Sequence, residues 1–268
     1  MPSVNNSKPG LHYPSRIVCL SYDVTEILYA IGGAARIVGT PSGFLQPGME
    51  KVTSIGGFGS PDIGIIKTLR PDIVIGYSEI CAGTMAELTR LNITALALQH
   101  TSLEEIYASI ELLGGITGNV PEAAALKNNI RRKLRETAAY IPKNSRRPVV
   151  YFEEWNNPYV CGTRWVSEII AIAGGRDGFA GRSLAKKYLE RAVTAFDVAA
   201  AAPEIILASW CGKKVDIGSF KKRPGWESVP AVKTGRIFEV PGEIILHPGP
   251  SLIEGARYIS DIINRHAS

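Results

Sequence analysis

Two hydrophobic patterns alternate along the chain. Short, nearly continuous apolar runs predict buried strands, and longer stretches with apolar residues at every third or fourth position predict helices. The predicted strands cover 16–20, 36–40, 72–77 and 93–98 in the first half, and 149–152, 204–209 and 236–240 in the second. Strands that alternate with helices form mostly parallel sheets with helices on both faces. The pattern therefore predicts an α/β fold.

Two segments of the first half are similar to two segments of the second half, in the same order. TEILYAIGG at 25–33 corresponds to SEIIAIAGG at 167–175, and LRPDIVIG at 69–76 corresponds to AAPEIILA at 201–208. In the first pair we expect Thr25 and Ser167 to cap a helix that the paired glycines end. In the second pair a helix ends before proline and a buried strand follows. Two matches in one order predict duplicated lobes.

A long amphipathic segment separates the two halves. Asn119 is a favourable N-cap residue and Pro121 suits the first turn of a helix. The apolar stripe of this helix is formed by Leu126, Ile130, Leu134, Ala138 and Ile141. The segment predicts a single backbone helix of about 20 residues and about 30 Å, which limits relative motion of the lobes. We predict an N-terminal α/β lobe at 15–118, the linking helix at 119–142 and a C-terminal α/β lobe at 147–268.

Composition narrows the class of protein. The 268 residues are 45% hydrophobic and 21% charged, which is typical of a globular protein. The net charge of +5 comes from scattered lysines and arginines, so no nucleic-acid partner is expected. Enzyme motifs such as a phosphate loop, a nucleophile elbow or HExxH are absent from the sequence, and we predict neither catalytic residues nor an enzyme. The cysteines lack zinc-site spacing and are expected to be buried free thiols: Cys19, Cys81, Cys161 and Cys211.

Several motifs together resemble one family, the substrate-binding proteins of vitamin B12, haem and ferric-siderophore ABC importers. The motifs are RIVCLS at 16–21, TEIL at 25–28, GGFG at 56–59, LRPDIV at 69–74, the segment 149–162, AGG at 173–175, PEII at 203–206 and the segment 223–238. The resemblance covers about residues 15–265 and is strongest to the vitamin B12-binding branch. It implies two lobes joined by a helical backbone, with a ligand bound in the cleft between them.

The carboxyl ends of the predicted strands indicate which residues face the cleft, because ligands of open α/β sheets bind there. We expect ligand contacts from Tyr22, Tyr77, Glu79, Glu153, Trp155, Asn156, Trp210, Cys211 and His247. The resemblance adds Phe58 in the GGFG loop, and it places Tyr22, Tyr77 and Trp155 where B12 binders contact their ligand. Arg164 offers a guanidinium to an anionic ligand. The aromatic residues suit a large, flat ligand, although single rings at strand ends also cap cores.

The expected ligand is cobalamin, another corrinoid or a similar metal chelate. Glu79, Glu153, Cys211 and His247 include metal-binding side chains, but they come singly from separate loops, so no resident metal or intrinsic cofactor is predicted. His247 is either a polar loop residue or an axial partner of a bound chelate. We predict a monomeric ligand-binding protein. The alternatives are a periplasmic importer component for cobalamin or ferric siderophore whose leader was removed, and an enzyme acting on a ligand in the cleft.

Two positions depart from the family. Importer-bound members carry an exposed glutamate on each lobe, seven residues before the Pro-acid pair, where this chain has Gly64 and Phe196. Asp62 and Asp197 lie nearby as substitutes. Because neither Gly64 nor Phe196 offers a carboxylate, we expect no stable association with an ABC permease. The polar N-terminus has no apolar signal region, so we expect a cytoplasmic protein; a removed signal peptide would instead place it in the periplasm.

Overall fold

The computed structural model describes residues 13–43, 46–77, 79–142 and 145–266. The N-terminal half contains, in chain order, β1 (Ile17–Cys19), α1 (Tyr22–Ala30), β2 (Ile37–Thr40), β3 (Thr53–Ser54), β4 (Gly56–Gly57), β5 (Ser60–Pro61), α2 (Ile63–Thr68), β6 (Ile73–Tyr77), α3 (Ala82–Arg90), β7 (Ala95–Leu98) and α4 (Leu103–Thr117). Within these residues, β3-β2-β1-β6-β7 form a parallel sheet in that order. The predicted strands of this half are confirmed to within two residues at each end.

The rest of the chain builds the linking helix and a second sheet. Its elements are α5 (Val120–Ala139), β8 (Val149–Asn156), β9 (Tyr159–Cys161), α6 (Arg164–Ile172), β10 (Arg176–Asp177), β11 (Ala192–Val193), α7 (Ala195–Ala201), β12 (Ile205–Ala208), α8 (Ile217–Phe220), α9 (Pro230–Thr234), β13 (Ile237–Glu239), α10 (Gly242–Ile245) and α11 (Leu252–His266). Strand β8 pairs in parallel with β10 and β12, and β12 with β13, whereas β9 pairs antiparallel with β8 and β11. The structure confirms an α/β fold with two lobes and mostly parallel sheets.

The repeated segments adopt equivalent conformations. Helices α1 and α6 are both followed by a glycine in the left-handed region, Gly32 at φ +83° and Gly174 at φ +95°, where a side chain would strain the backbone. The prediction that Thr25 and Ser167 cap these helices is wrong. Both lie inside the helix, and the N-caps are Ser21 and Thr163, four residues earlier. The helices therefore start directly after strands β1 and β9.

Helix α5 joins the two halves at nearly the predicted bounds. Pro121 lies in its first turn, but the Asn119 side chain makes no capping hydrogen bond, contrary to expectation. The buried face of α5 includes Ile130 and Leu134, which belong to one continuous apolar core. That core contains residues of both sheets and of the helices between them, so it spans both halves. The lobe boundaries at 118, 142 and 147 stay a prediction.

Two glutamates, one from each half, accept hydrogen bonds from the opposite half. Glu26 on α1 accepts hydrogen bonds from the backbone N–H (2.8 Å) and the hydroxyl (3.0 Å) of Ser251, directly before α11. Glu168 on α6 accepts one from the N–H of Leu103 (2.7 Å), the first residue of α4. Each carboxylate thus bonds to N–H groups at a helix N-terminus, which lack partners within the helix itself. Glu26 and Glu168 occupy matching positions of the repeated segments, so the contacts follow the duplication.

Candidate functional site

A cavity of about 900 Å³ opens where strands of both sheets end. Its wall includes residues after β1 and β2 and at the end of β6 in one half, and residues of β8 and after β12 and β13 in the other. The cavity therefore lies at the edge of both sheets where ligands of parallel α/β sheets bind. The volume lies near the upper end of ordinary small-molecule sites, which suits a large ligand.

One wall is a group of three rings. Tyr22 stacks on Phe58, with the ring centres 5.8 Å apart. The centre of the His247 ring lies 4.8 Å from that of Tyr22. The Tyr22 hydroxyl donates to the carbonyl of Ser42 at 2.8 Å, which fixes the ring. All three residues line the cavity, as the sequence predicted.

A second group of rings lies at the end of β6. Tyr77 stacks on His100 at 4.5 Å and meets the edge of Trp165 at 6.2 Å. Trp165 is buried, and its indole N–H donates to the carbonyl of Ile245 at 3.0 Å. Tyr77 and Trp165 line the cavity. Only Tyr77 was among the predicted contacts, although Trp165 is the second residue of α6, the helix that repeats α1.

The third wall follows β12. Trp210 and Cys211 line the cavity as predicted, together with Lys213, whose ammonium lies 5.2 Å from the centre of the Trp210 ring. A hydrogen bond fixes the Trp210 ring, because its indole N–H donates to the Glu153 carboxylate at 3.0 Å. Cys211 is exposed, so the expectation of a buried thiol is wrong for this cysteine and confirmed for Cys19, Cys81 and Cys161.

Glu153 does not reach the cavity, and this part of the predicted site is corrected. Its carboxylate is fully buried, bonded to both terminal nitrogens of Arg223 (2.6 and 2.8 Å), and accepts from the Tyr151 hydroxyl at 3.1 Å. Arg223 in turn packs against the rings of Tyr159, Phe220 and Trp226. Glu154, the next residue of β8 after Glu153, lines the cavity instead, because adjacent residues of a strand face opposite sides.

Three further predicted contacts do not line the cavity, although the ring of one of them, Trp155, has its centre 5.8 Å from the ammonium of the wall residue Lys213. Trp155 packs against the core of the second half and donates its indole N–H to the Asn157 carbonyl, and Asn156 ends β8 beside β9. Arg164 is half exposed and pairs with Glu168 at 2.9 Å, because it occupies the outer side of α6. The side chain of Glu79 lies outside the described part of the structure.

The wall also contains polar residues that sequence reasoning missed. They include Asp23, Thr163, Lys186, Tyr188, Arg191 and Lys214. Arg191 pairs with Glu154 through two contacts of 2.6 and 3.0 Å and is buried. Asp23 and Thr163 adjoin the N-termini of the repeated helices α1 and α6, so the duplication was the available signal. The segment 182–191 carries no comparable pattern.

Burial sets the charge of His247 in this cavity. It lowers the pKa of the imidazole, and the nearby carboxylates of Asp23 and Glu243 only partly oppose the shift. The ring is therefore neutral at neutral pH, with one nitrogen able to act as an electron-pair donor. Within the described ranges, no three His, Cys, Asp or Glu side chains converge on a metal site.

A large aromatic cavity between two α/β lobes defines a binding protein that encloses a small molecule. The comparisons agree. The chain matches the periplasmic binding protein family over residues 17–244, and it belongs to that family.

Individual relatives are distant. An uncharacterized ABC transporter substrate-binding lipoprotein, YvrC of Bacillus subtilis, is 25% identical over 93% of this chain and 80% of its own length. A cobalamin-binding protein of Halobacterium salinarum is 24% identical over 90% of this chain and 67% of its own. The solved periplasmic haem-binding protein RhuT of Roseiflexus superposes with a TM-score of 0.77 at 23% identity, covering 95% of this chain and 99% of that one.

The comparisons do not support the expectation of a cytoplasmic protein. The relatives whose descriptions mention a location are a lipoprotein and periplasmic proteins. In the part of the chain that the structure describes, no helix is both long and apolar enough to cross a membrane.

Proposed function

We propose that this protein captures a corrinoid, or a closely related flat metal chelate, in the cavity between its lobes. The observation that carries the proposal is the cavity itself: about 900 Å³, at the strand ends of both sheets, with Tyr22, Tyr77 and Trp210 in separate parts of its wall. Aromatic walls provide rigid contact area for a macrocycle at little entropic cost. The cobalamin-binding relative from Halobacterium salinarum supports the same ligand class.

His247 supports a ligand that contains a metal. Its imidazole lies on the wall beside Tyr22 and is kept neutral by burial. A neutral imidazole is a good ligand for cobalt or iron, whereas an imidazolium has no free electron pair. We propose that His247 approaches an axial position of the chelated metal.

The proposed activity is capture and release, without chemical change of the ligand. Relatives described as ABC transporter substrate-binding proteins support delivery to a permease, outside the cytoplasmic membrane. Asp62 and Asp197 are the proposed docking acids. Asp62 is exposed and caps α2, where it accepts from the Ile65 N–H. Asp197 is partly exposed and lies in the first turn of α7, where it accepts from the backbone N–H of the N-cap residue Thr194. Fractionation of native cells with an antibody tests the location: the external membrane-associated fraction supports an importer role, and the cytoplasm contradicts it.

Titration calorimetry with cobinamide, cobalamin and haem tests the ligand class. We expect saturable binding of at least one corrinoid, accompanied by a change in its visible spectrum as the axial ligand exchanges. The His247→Ala variant is expected to bind with a weaker spectral change. Absence of heat and of spectral change with every corrinoid at high micromolar concentration would overturn the proposal, and binding of haem alone would assign the cavity to porphyrins.

A further inference from the structure

Asp23 places a carboxylate on the cavity wall. It is the second residue of α1, and only 3% of its surface is exposed. Burying a carboxylate is costly unless hydrogen bonds replace the lost water. The fold therefore has to provide donors to this side chain, or leave them to a ligand.

The described residues provide few hydrogen-bond donors to the Asp23 side chain. His100 Nε2 lies 3.2 Å from Asp23 Oδ2, but the direction of this contact is not that of a hydrogen bond. Both atoms, and the hydroxyl oxygen of the neighbouring N-cap Ser21, are buried without a hydrogen-bond partner among the described residues. His100 cannot easily turn to improve its contact, since its Nδ1 is 3.0 Å from the Ser109 hydroxyl and its ring stacks on Tyr77. Unfilled acceptor capacity remains at the cavity wall.

The unpartnered oxygen of Asp23 is an acceptor, so the group that faces it in a complex has to be a donor. A neutral amide at the edge of a macrocycle supplies an N–H. An ionised carboxylate there would meet a like charge in a buried site, which is unfavourable. The cationic residues of the wall come from the other half: Lys186, Lys213 and Lys214 are exposed, and Arg191 is buried and paired with Glu154.

We propose that Asp23 determines the specificity of the cavity, by accepting a hydrogen bond from a neutral N–H group of the ligand and excluding ligands with a carboxylate at that place. The inference rests on the proposed function and refines it. It assigns the cavity to corrinoids with amide side chains in preference to macrocycles with acidic side chains.

The test compares two probes on three proteins. The probes are cobinamide, whose macrocycle carries primary amides, and cobyrinic acid, which carries carboxylates in their place. The proteins are the wild type, Asp23→Asn, and Asp177→Asn as the matched control. Asp177 is a partly buried aspartate of the other half that accepts from the Phe179 N–H and does not line the cavity. Thermal melts establish that each variant is folded.

The wild type is expected to bind cobinamide about tenfold to hundredfold more tightly than cobyrinic acid, the range of a hydrogen bond to a charged group. Asp23→Asn, which offers both a donor and an acceptor, is expected to reduce this ratio to below about threefold, and Asp177→Asn to preserve it. Replacing the other amides of the ligand by carboxylates also changes its affinity, but equally for all three proteins. Comparing the cobinamide-to-cobyrinic-acid affinity ratio between the proteins therefore isolates the contribution of Asp23.

The outcomes separate the two proposals. Equal binding of both probes by the wild type, or an unchanged ratio in folded Asp23→Asn, overturns the role of Asp23 and leaves the corrinoid function standing. Where Asp23→Asn fails to fold, the wild-type ratio still tests the role of Asp23, because equal binding of the two probes overturns it. If the wild type binds neither probe, the corrinoid function is overturned, and the role of Asp23 with it.

Discussion

Tyr77 and Trp155 illustrate what an aromatic residue at a strand end means. Both follow apolar runs and both were predicted to contact the ligand. Tyr77 lies on the cavity wall, between His100 and Trp165, whereas Trp155 covers the core of the second half. The register of β8 shifts between Glu153 and Trp155, which changes the face that Trp155 occupies. A bulge of this kind leaves no clear mark in one sequence.

This difference makes Trp155 a matched control for Tyr77. Tyr77→Ala is expected to weaken corrinoid binding by about 2 kcal/mol, roughly thirtyfold, because it removes a half-buried ring from the wall. Trp155→Ala is expected to change binding by less than threefold. Titration calorimetry measures both. Normal binding by folded Tyr77→Ala would mean that this ring only covers the core.

The pair Glu153 and Glu154 shows the same limit for charges. Alternation in a strand predicts that one of the two faces the cavity, but it does not say which. The choice depends on Arg223, which is 70 residues away in sequence and bonds Glu153 inside the core. No local pattern connects these two residues.

At the scale of elements, strand β8 depends on this buried pair. Arg223→Met is expected to destabilise the protein by about 3–5 kcal/mol, since it leaves the Glu153 carboxylate buried without its counter-charge. Arg146→Met removes the partly exposed pair with Glu204 and should cost at most about 1 kcal/mol. Urea unfolding measures both values. A similar, small loss for the two variants would contradict the structural role given to Arg223.

Elements were the most predictable level of this molecule. Most strands with continuous apolar runs, and helix α5 with its regular stripe, fall close to their predicted bounds, whereas β8 continues four residues beyond its predicted end at 152. The starts of α1 and α6 were misplaced, because Thr25 and Ser167 resemble N-caps while the true caps, Ser21 and Thr163, make no side-chain capping bond. The glycines that end both helices were placed correctly, because left-handed backbone requires them.

At the scale of the whole molecule, the two halves are held together by one continuous core and by the crossing glutamates Glu26 and Glu168. The duplication predicted two similar lobes. It did not predict these contacts, since a glutamate on a helix surface is usually solvated and its partner belongs to the opposite half.

Glu26 makes the stability of the protein depend on pH. Burial raises its pKa from 4.5 to about 7, although the hydrogen bonds from Ser251 oppose the shift and Asp23 adds to it. The folded state therefore binds this proton more tightly than the unfolded state. The resulting stabilisation is complete below pH about 4.5 and is lost as the pH rises through 7.

Glu26→Gln is expected to remove this component of the pH dependence. The loss of stability between pH 5 and 8 should become shallower than in the wild type, by at most about 3 kcal/mol. Urea unfolding across this pH range measures it. Glu168→Gln serves as the control for losing one crossing hydrogen bond, and parallel curves for wild type and Glu26→Gln would contradict the assignment to Glu26.

A crystal structure of the protein saturated with cobinamide would show whether the two lobes enclose a flat metal chelate. We expect the macrocycle inside the cavity, in contact with Tyr77 and Trp210, with an N–H group of a side-chain amide within hydrogen-bond distance of Asp23. A corrinoid bound elsewhere on the surface, with the cavity between the lobes unoccupied, would contradict it.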